Sequence, residues 1–209
     1  MSGDSDIIKD VYDTAKSGGA EGLYDSWAAK YDADTAAKGF RLPGIAAGFA
    51  ARYIPRGTGP VLDAGAGTGL VGSCLQALGY DQVTGIDISE AMLEQAAKTG
   101  AYQIVKRQVL GEPLDFADGA FAGVICTGSF GVGHAPPSSL YELLRVTRSG
   151  APLIFNVVDN TWVEQGFPKI MKAIDEAGSW ELAEKSDAFR PYTNGEKDLK
   201  VRVFVYHSL

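Results

Sequence analysis

Hydrophobic and polar positions divide the chain into a helical N-terminal part and a longer part with alternating strand and helix patterns. Apolar side chains recur at intervals of three and four residues within 7–15 and within 23–31, which predicts two helices. A third helix is predicted to begin at Pro43, because proline is favoured at the first helical position. Its predicted buried residues are Ile45, Phe49 and Tyr53.

From Val61 onwards, short apolar runs alternate with amphipathic runs, as in an open parallel α/β sheet with helices on both faces. Two further helices are predicted, one beginning near Ser138 and a long one capped by Asn160. The tail contains two alternating runs around Asn194-Gly195, a pair typical of a hairpin turn, so the last strand should run antiparallel. The predicted strands are 61–64, 82–87, 102–109, 122–127, 152–158, 180–185 and 201–206.

A glycine-rich turn follows the first of these strands and carries a glycine at every second position from Gly65 to Gly69. Such a turn, placed between a strand and a helix, lets a nucleotide approach the backbone closely. Two registers compete. Gly67, Gly69 and Gly72 match the dinucleotide pattern, whereas Asp63 ahead of the turn would repel a pyrophosphate and favours a ligand that carries positive charge.

A second acidic residue, Asp87, ends the next predicted strand, 18 residues after Gly69 (87 − 69). An acid in this place accepts hydrogen bonds from ribose hydroxyls in both classes of nucleotide. Asp87 therefore indicates a ligand that contains a nucleoside. Asp63 distinguishes a dinucleotide from a ligand that carries positive charge.

At these motifs the chain resembles the class I S-adenosylmethionine-dependent methyltransferases, and it is most similar to the Williams-Beuren-syndrome-region methyltransferase-like group. The resemblance runs from Tyr24 to Asp159, with residues 63–69 similar to the first motif and residues 85–89 similar to the acidic loop. It implies a Rossmann-like, mostly parallel seven-stranded sheet with an antiparallel last strand. It also implies one domain, in which residues 1–55 form a helical lid on a sheet core of residues 56–209.

The predicted cofactor is S-adenosylmethionine, and its predicted contacts follow from the carboxyl ends of the strands and from the resemblance. Relatives often carry an acid for the adenine amine where this chain has Val109, so Gln108, a backbone carbonyl or water would take that contact. The predicted cofactor-binding residues are Tyr24, Tyr31, Asp63, Gly65, Ala66, Gly67, Asp87, Ile88, Met92, Val109, Leu110 and Thr127.

Composition and charge restrict the class of molecule that could accept the methyl group. The net charge is −7 and the basic residues are scattered, which disfavours nucleic acid and acidic membranes as partners. Two cysteines and two histidines are too few for a metal site, and the sequence shows neither a membrane-spanning run nor a signal peptide, so a cytoplasmic protein is expected.

We therefore expect transfer of a methyl group to a nitrogen or oxygen of a small molecule. The predicted acceptor contacts are His134, Arg190 and Tyr192, and His134 is a candidate general base because its ordinary pKa suits neutral pH. The sequence assigns no catalytic residue and no oligomeric state. Two alternatives stay open: a catalytically silent protein that binds S-adenosylmethionine, and an NAD-dependent oxidoreductase that uses the register of Gly67, Gly69 and Gly72.

Overall fold

The computed structural model describes residues 20–131, 133–159, 161–195 and 198–209. Seven strands form one sheet in the order β3-β2-β1-β4-β5-β7-β6. Strands β1 to β5 are parallel, and β7 lies antiparallel to both of its neighbours. The predicted fold class is thereby confirmed. The strands are β1 (Val61–Ala64), β2 (Val83–Asp87), β3 (Ile104–Arg107), β4 (Gly123–Cys126), β5 (Pro152–Val158), β6 (Trp180–Lys185) and β7 (Val201–Ser208).

The helices described by the structure are α1 (Ala20–Ala37), α2 (Leu42–Tyr53), α3 (Leu70–Ala77), α4 (Glu90–Lys98), α5 (Ser139–Val146) and α6 (Phe167–Glu176). Helices α2 and α3 pack on one face of the sheet and α5 and α6 on the other, each with its own apolar cluster. Neighbouring residues on a strand point to opposite faces, so Val61 belongs to the first cluster and Leu62 to the second. This double layer explains why β1, β4 and β5 are buried along their whole length rather than at alternate residues.

Helix α4 begins where the sequence predicts. The Ser89 hydroxyl caps it by accepting a hydrogen bond from the Met92 N–H at 3.1 Å. The cap fixes the main chain that directly follows Asp87, the acid at the end of β2.

Helix α2 begins at Leu42, one residue before the predicted start, and it buries a different face. The prediction that Ile45, Phe49 and Tyr53 are buried was wrong, since all three are only half-buried. Small side chains let the helix approach the sheet closely, and they carry the buried face instead. The buried residues are Leu42, Pro43, Ala46, Ala47 and Ala50.

Two other predicted boundaries were wrong. Strand β3 spans four residues rather than eight, because Tyr102 turns inward from the loop before it and Gln108 and Val109 turn towards a cavity after it. The helix predicted from Asn160 begins only at Phe167, directly after a turn in which Gly166 has φ +86°. Asn160 itself and the predicted helix at 7–15 lie outside the described residues. Within the described part of the chain, no helix is long and apolar enough to cross a membrane.

Candidate active site

A cavity of about 350 Å³ lies at the carboxyl ends of β1, β2 and β4, where open α/β sheets bind ligands. Helix α1 and the segment that leads into α2 form its other side. Eleven of the twelve predicted cofactor residues line this cavity, and Asp63 does not. The lining residues among them are Tyr24, Tyr31, Gly65, Ala66, Gly67, Asp87, Ile88, Met92, Val109, Leu110 and Thr127.

Four backbone N–H groups of the glycine turn are already hydrogen bonded within the protein. Gly65 and Ala66 both donate to the Ile86 carbonyl, at 2.8 and 2.9 Å, Gly69 donates to the Ala66 carbonyl, and Gly67 donates to the Asp87 carboxylate. A dinucleotide site needs turn N–H groups for its pyrophosphate. These four groups are therefore not available to a phosphate.

Open space at two glycines gives the cavity the form of a cradle. A Cβ added at Gly67 or at Gly128 would meet no atom within 4 Å, so a ligand can lie directly against the backbone there. Position 65 requires glycine for another reason, because a Cβ there would lie 1.8 Å from the Ser129 hydroxyl oxygen.

Asp87 joins the glycine turn to the cap of α4. One carboxylate oxygen accepts from the Gly67 N–H at 2.9 Å and the other from the Ser89 N–H at 3.0 Å. Each oxygen keeps a further lone pair, so the oriented carboxylate can accept hydrogen bonds from two ligand hydroxyls. Burial raises the pKa of Asp87, although its hydrogen bonds with backbone N–H groups oppose that shift.

Asp63 lies behind the glycine turn rather than in the cavity wall. Its side chain is buried, with 1 % exposure, and one oxygen accepts from the Tyr102 hydroxyl at 2.6 Å. Tyr102 accepts in turn from the Gly72 N–H at 3.1 Å. The pKa of Asp63 is raised to about 7. Burial is the main cause and the charge of Asp87 adds to it, while the hydrogen bond from Tyr102 acts in the opposite direction.

The Tyr102 ring explains the glycine pattern that resembles a dinucleotide fingerprint. A Cβ at Gly72 would lie 2.2 Å from the ring, and Cβ atoms at Gly69 and Gly85 would lie 3.0 and 2.9 Å from it. Gly69 and Gly72 are thus small because Tyr102 packs on them. The sequence pattern contains no signal for this partner, which comes from the loop before β3.

Helix α1 is tied to the loops that carry the predicted cofactor residues. Asp32 accepts from the Thr68 hydroxyl in the glycine turn, and Asp25 accepts from the Ser89 hydroxyl at the start of α4, both at 2.5 Å. Glu21 forms an ion pair of 2.8 Å with Arg107 at the end of β3. The helix therefore closes over the cavity through three carboxylates.

Gln108 marks the end of the cavity that faces β3. Its side-chain oxygen accepts from the Asp115 N–H at 2.9 Å, which leaves its NH₂ group buried with no hydrogen-bond partner among the described residues. A buried, unsatisfied donor costs free energy until a ligand pairs with it. Since adenine ring nitrogens are acceptors, Gln108 fits the adenine end, where this chain lacks the acid of its relatives.

A second, smaller cavity of about 70 Å³ adjoins the first, and the two share Tyr24, Tyr31 and His134 in their walls. The Tyr24 hydroxyl oxygen lies 2.8 Å from His134 Nε2. Tyr192 lines only the second cavity. Arg190 lines neither, because its guanidinium donates to the Thr193 and Gly195 carbonyl oxygens within its own loop.

Several residues that line the cofactor cavity were not among the predicted contacts. Phe40 reaches it from the connection between α1 and α2, Leu42 and Pro43 from the first turn of α2, and Thr68 and Gly128 from the loops after β1 and β4. Helical periodicity does not mark Phe40, Leu42 or Pro43 as contacts, because only the packing of α1 and α2 on the sheet brings them there.

The fold and this cavity together define an S-adenosylmethionine-dependent methyltransferase of class I. Residues 61–150 match the model of the methyltransferase domain family. Human methyltransferase-like protein 27 is 34 % identical over 168 residues, which cover 76 % of this chain and 67 % of the human protein. The chain belongs to the methyltransferase family that includes this human protein.

Solved structures agree on the fold. A methyltransferase-like partner of the Trm112 activator from Haloferax volcanii has a TM-score of 0.65 at 19 % identity, over 88 % of this chain and 97 % of that one. A TehB-like enzyme from Corynebacterium glutamicum has a TM-score of 0.63 at 20 % identity, over 88 % and 98 %. The magnesium protoporphyrin IX methyltransferase of Synechocystis, solved with bound S-adenosylmethionine, has a TM-score of 0.60 at 18 % identity, over 81 % and 79 %.

The residues present fit this cofactor. The cradle at Gly67 and Gly128 admits it, the Asp87 carboxylate suits its ribose, and the engaged turn N–H groups suit a ligand without phosphate. When bound, S-adenosylmethionine supplies an electrophilic methyl group on a positively charged sulfur.

Proposed function

We propose that this methyltransferase acts on a small molecule and methylates an oxygen or a nitrogen atom. The observation that carries the proposal is the pair of adjoining cavities with a common wall. Displacement at a methyl group needs the nucleophile in line with the bond that breaks, so the acceptor must lie in space that continues from the cofactor. The second cavity is such a space, and helix α1 covers both.

In this proposal the cofactor occupies the larger cavity, with its ribose at Asp87, its adenine between Ile88 and Gln108, and its amino-acid end near Thr127. The half-buried position of Ile88 and the open cradle at Gly67 support this orientation. Asp63 acts on the bound cofactor from behind the turn, through its charge and through the position of Tyr102.

We infer that His134 is the base when the acceptor loses a proton. His134 and Tyr24 lie on the wall shared by the two cavities, and their polar atoms are 2.8 Å apart. The acceptor hydroxyl passes its proton to the Tyr24 oxygen while Tyr24 passes its own proton to His134 Nε2. A base of this kind contributes about 10²–10⁴-fold to a rate.

We further propose that residues 1–55 and 56–209 work as one domain in a reducing compartment such as the cytoplasm. Helix α2 places Ala46, Ala47 and Ala50 in the same apolar cluster as Val61 of β1, which supports a shared core. Cys74 and Cys126 are both free thiols, which supports the compartment.

A labelling experiment tests the size of the acceptor. The protein is incubated with a cell extract and S-adenosylmethionine labelled with tritium in its methyl group, unreacted S-adenosylmethionine is removed, and the products are separated by size and compared with those of the extract alone. We expect the label in the small-molecule fraction, and we expect it to be lost with the variant Asp87→Ala. Label that stays with protein or nucleic acid would overturn the proposed acceptor class.

A further inference from the structure

The second cavity has walls that identify a chemical class of acceptor. Most of its lining residues have aromatic or aliphatic side chains, and the rings come from α1, from its connection to α2, and from the loops after β4 and before β7. The six rings are those of Tyr24, Trp27, Tyr31, Phe40, Phe130 and Tyr192.

Among the described residues, this wall contains no Asp, Glu, Lys or Arg. Its polar side-chain groups are the three tyrosine hydroxyls, the Trp27 indole N–H, His134 and Asn156. His134 belongs to the wall shared with the cofactor cavity, and Asn156 is buried, with its side-chain oxygen accepting from the Gly128 N–H at 2.8 Å. An anionic group placed here would lose its water without gaining an ion pair, which is costly, and a cationic group would gain only its attraction to the ring faces.

Three arginines that lie close to this wall in the chain have partners outside the cavity. Arg190 donates to carbonyl oxygens in its own loop, and the Arg41 side chain donates to the Arg190 carbonyl at 2.7 Å. Arg202 pairs with Asp159 at 2.8 Å. The groups engaged in these contacts are not available to a carboxylate or phosphate on the acceptor, and Lys200, between two wall residues, is exposed to solvent.

The cavity is also narrow. Its volume of about 70 Å³ compares with about 30 Å³ for one molecule of liquid water and about 150 Å³ for a cavity that holds benzene. It accommodates part of one small ring, whose hydroxyl then faces the wall shared with the larger cavity.

A hydroxyl fits the shared wall better than an amine does. A neutral amine attacks a methyl group with its own lone pair and loses its proton afterwards. A weakly acidic hydroxyl must lose its proton as it attacks, and the Tyr24–His134 pair stands where that proton would leave.

From these observations we propose that the second cavity binds the methyl acceptor and selects an uncharged aromatic hydroxyl compound of the phenol class. This rests on the proposed small-molecule function. In the reaction the O–CH₃ bond forms and the S–CH₃ bond breaks, its electron pair stays on sulfur, and the hydroxyl proton goes to Tyr24 and on to His134.

Three matched phenols test the proposal without turnover: 3-methylphenol, 3-hydroxybenzoate and 3-(aminomethyl)phenol. Each is titrated, by ligand-observed NMR, into the protein saturated with S-adenosylhomocysteine. They share the hydroxyl, and their second substituent is neutral, anionic or cationic. We expect 3-methylphenol to bind at least tenfold more tightly than either charged compound.

Two leucine variants locate the binding. Leu199 lines the second cavity but not the first, whereas Leu182 is 49 % exposed on β6 and lines neither. Leu199→Phe fills the cavity and should therefore weaken the binding of 3-methylphenol at least fivefold. The affinity for S-adenosylhomocysteine should stay unchanged. The matched control Leu182→Phe should change neither affinity.

Three results would overturn the proposal: no binding of 3-methylphenol, equal or tighter binding of a charged compound, or a 3-methylphenol affinity unaffected by Leu199→Phe. If Leu199→Phe does not fold, Leu199→Ala replaces it, and an unchanged affinity for 3-methylphenol would again overturn the proposal. The proposed function is judged separately, because it fails only when the tritium label goes to macromolecules.

Discussion

The carboxylate of Asp87 shows how one side chain serves both the fold and the site. It holds the glycine turn through Gly67 and the start of α4 through Ser89, and it faces the cavity with lone pairs to spare. An acid is needed here because each of its oxygens accepts from a backbone N–H and still has capacity for a ribose hydroxyl.

Replacement of Asp87 by Ala should therefore weaken the binding of S-adenosylhomocysteine by tenfold or more, because hydrogen bonds to a charged group contribute about 1.5–3 kcal/mol each. Isothermal titration measures the change. Asp81→Ala, at an exposed acid before β2, is the matched control and should bind like the parent. An Asp87→Ala variant with parental affinity would show that the ribose lies elsewhere.

Asp63 makes the stability of the folded protein depend on pH. Its pKa in the folded protein is about 7, against 3.8 for an ordinary aspartate, so the unfolded chain releases this proton at lower pH than the folded chain does. Between these two values the unfolded state binds fewer protons, and the free energy of unfolding falls as pH rises.

The variant Asp63→Asn should lose this part of the pH dependence. Between pH 5 and pH 8 the parent should lose more stability than the variant, by on the order of 1–4 kcal/mol, because one pKa unit corresponds to about 1.4 kcal/mol. Urea denaturation at the two pH values measures the difference. If the free energy of unfolding changed equally in both proteins between the two pH values, Asp63 would have an ordinary pKa.

The proposed proton path predicts a loss of rate at His134. With a hydroxyl acceptor, His134→Gln should lower kcat on the order of 100-fold or more and remove the titration of the base from the pH profile of kcat. Tyr24→Phe, which keeps the ring and removes the hydroxyl, should have a similar effect. A parental pH profile in His134→Gln would exclude the histidine as the base.

The sequence predicted Asp63 as a ligand contact but not its burial. Its position two residues before Gly65 is a local feature that spacing displays, whereas its partner Tyr102 is 39 residues away in the chain. Such a pair is set by the way β3 packs beside β2. The glycines that contact Tyr102 match the dinucleotide pattern in sequence, because the sequence does not show that a distant ring packs against them.

Among the secondary-structure elements, α1 has the most direct influence on the site. Its acids reach the glycine turn at Thr68, the cap of α4 at Ser89 and the end of β3 at Arg107. Because all three segments border the cavity, the closing of α1 and the binding of the cofactor should stabilise each other.

The double variant Asp25→Ala/Asp32→Ala should raise the dissociation rate of S-adenosylhomocysteine several-fold and speed hydrogen exchange in residues 20–37. The two acids hold α1 to Ser89 and Thr68, so their loss frees the helix without touching the cavity floor. Stopped-flow fluorescence measures the rate. As a control, Glu94→Ala removes an exposed acid from α4. Unchanged exchange and release in the double variant would show that α1 does not hold the cofactor.

The elements with strong periodicity were predicted well and their ends were not. The buried strands and the hairpin of β6 and β7 have patterns that predict an open α/β sheet, while seven strands with an antiparallel last one came from the resemblance. The start of α6 and the buried face of α2 depend on Gly166 in the left-handed region and on close packing of small side chains, which periodicity does not record.

For the whole molecule, the charge and the cavities give complementary information. A net charge of −7 argues against polyanionic partners, while the uncharged wall of the second cavity argues for a neutral acceptor. The sequence predicted the class of cofactor because its motif is local. The predicted acceptor contacts His134 and Tyr192 do line the second cavity, but its full set of rings could not be predicted, because they lie far apart in the chain, from Tyr24 to Tyr192.

Isothermal titration with S-adenosylhomocysteine, with NAD as the comparison, tests the central claim most directly. The account predicts a Kd on the order of 1 μM for S-adenosylhomocysteine, equivalent to about −8 kcal/mol, and no heat of binding with NAD. Binding of NAD without binding of S-adenosylhomocysteine would contradict it, because the turn N–H groups and Asp63 would then have to accommodate a pyrophosphate.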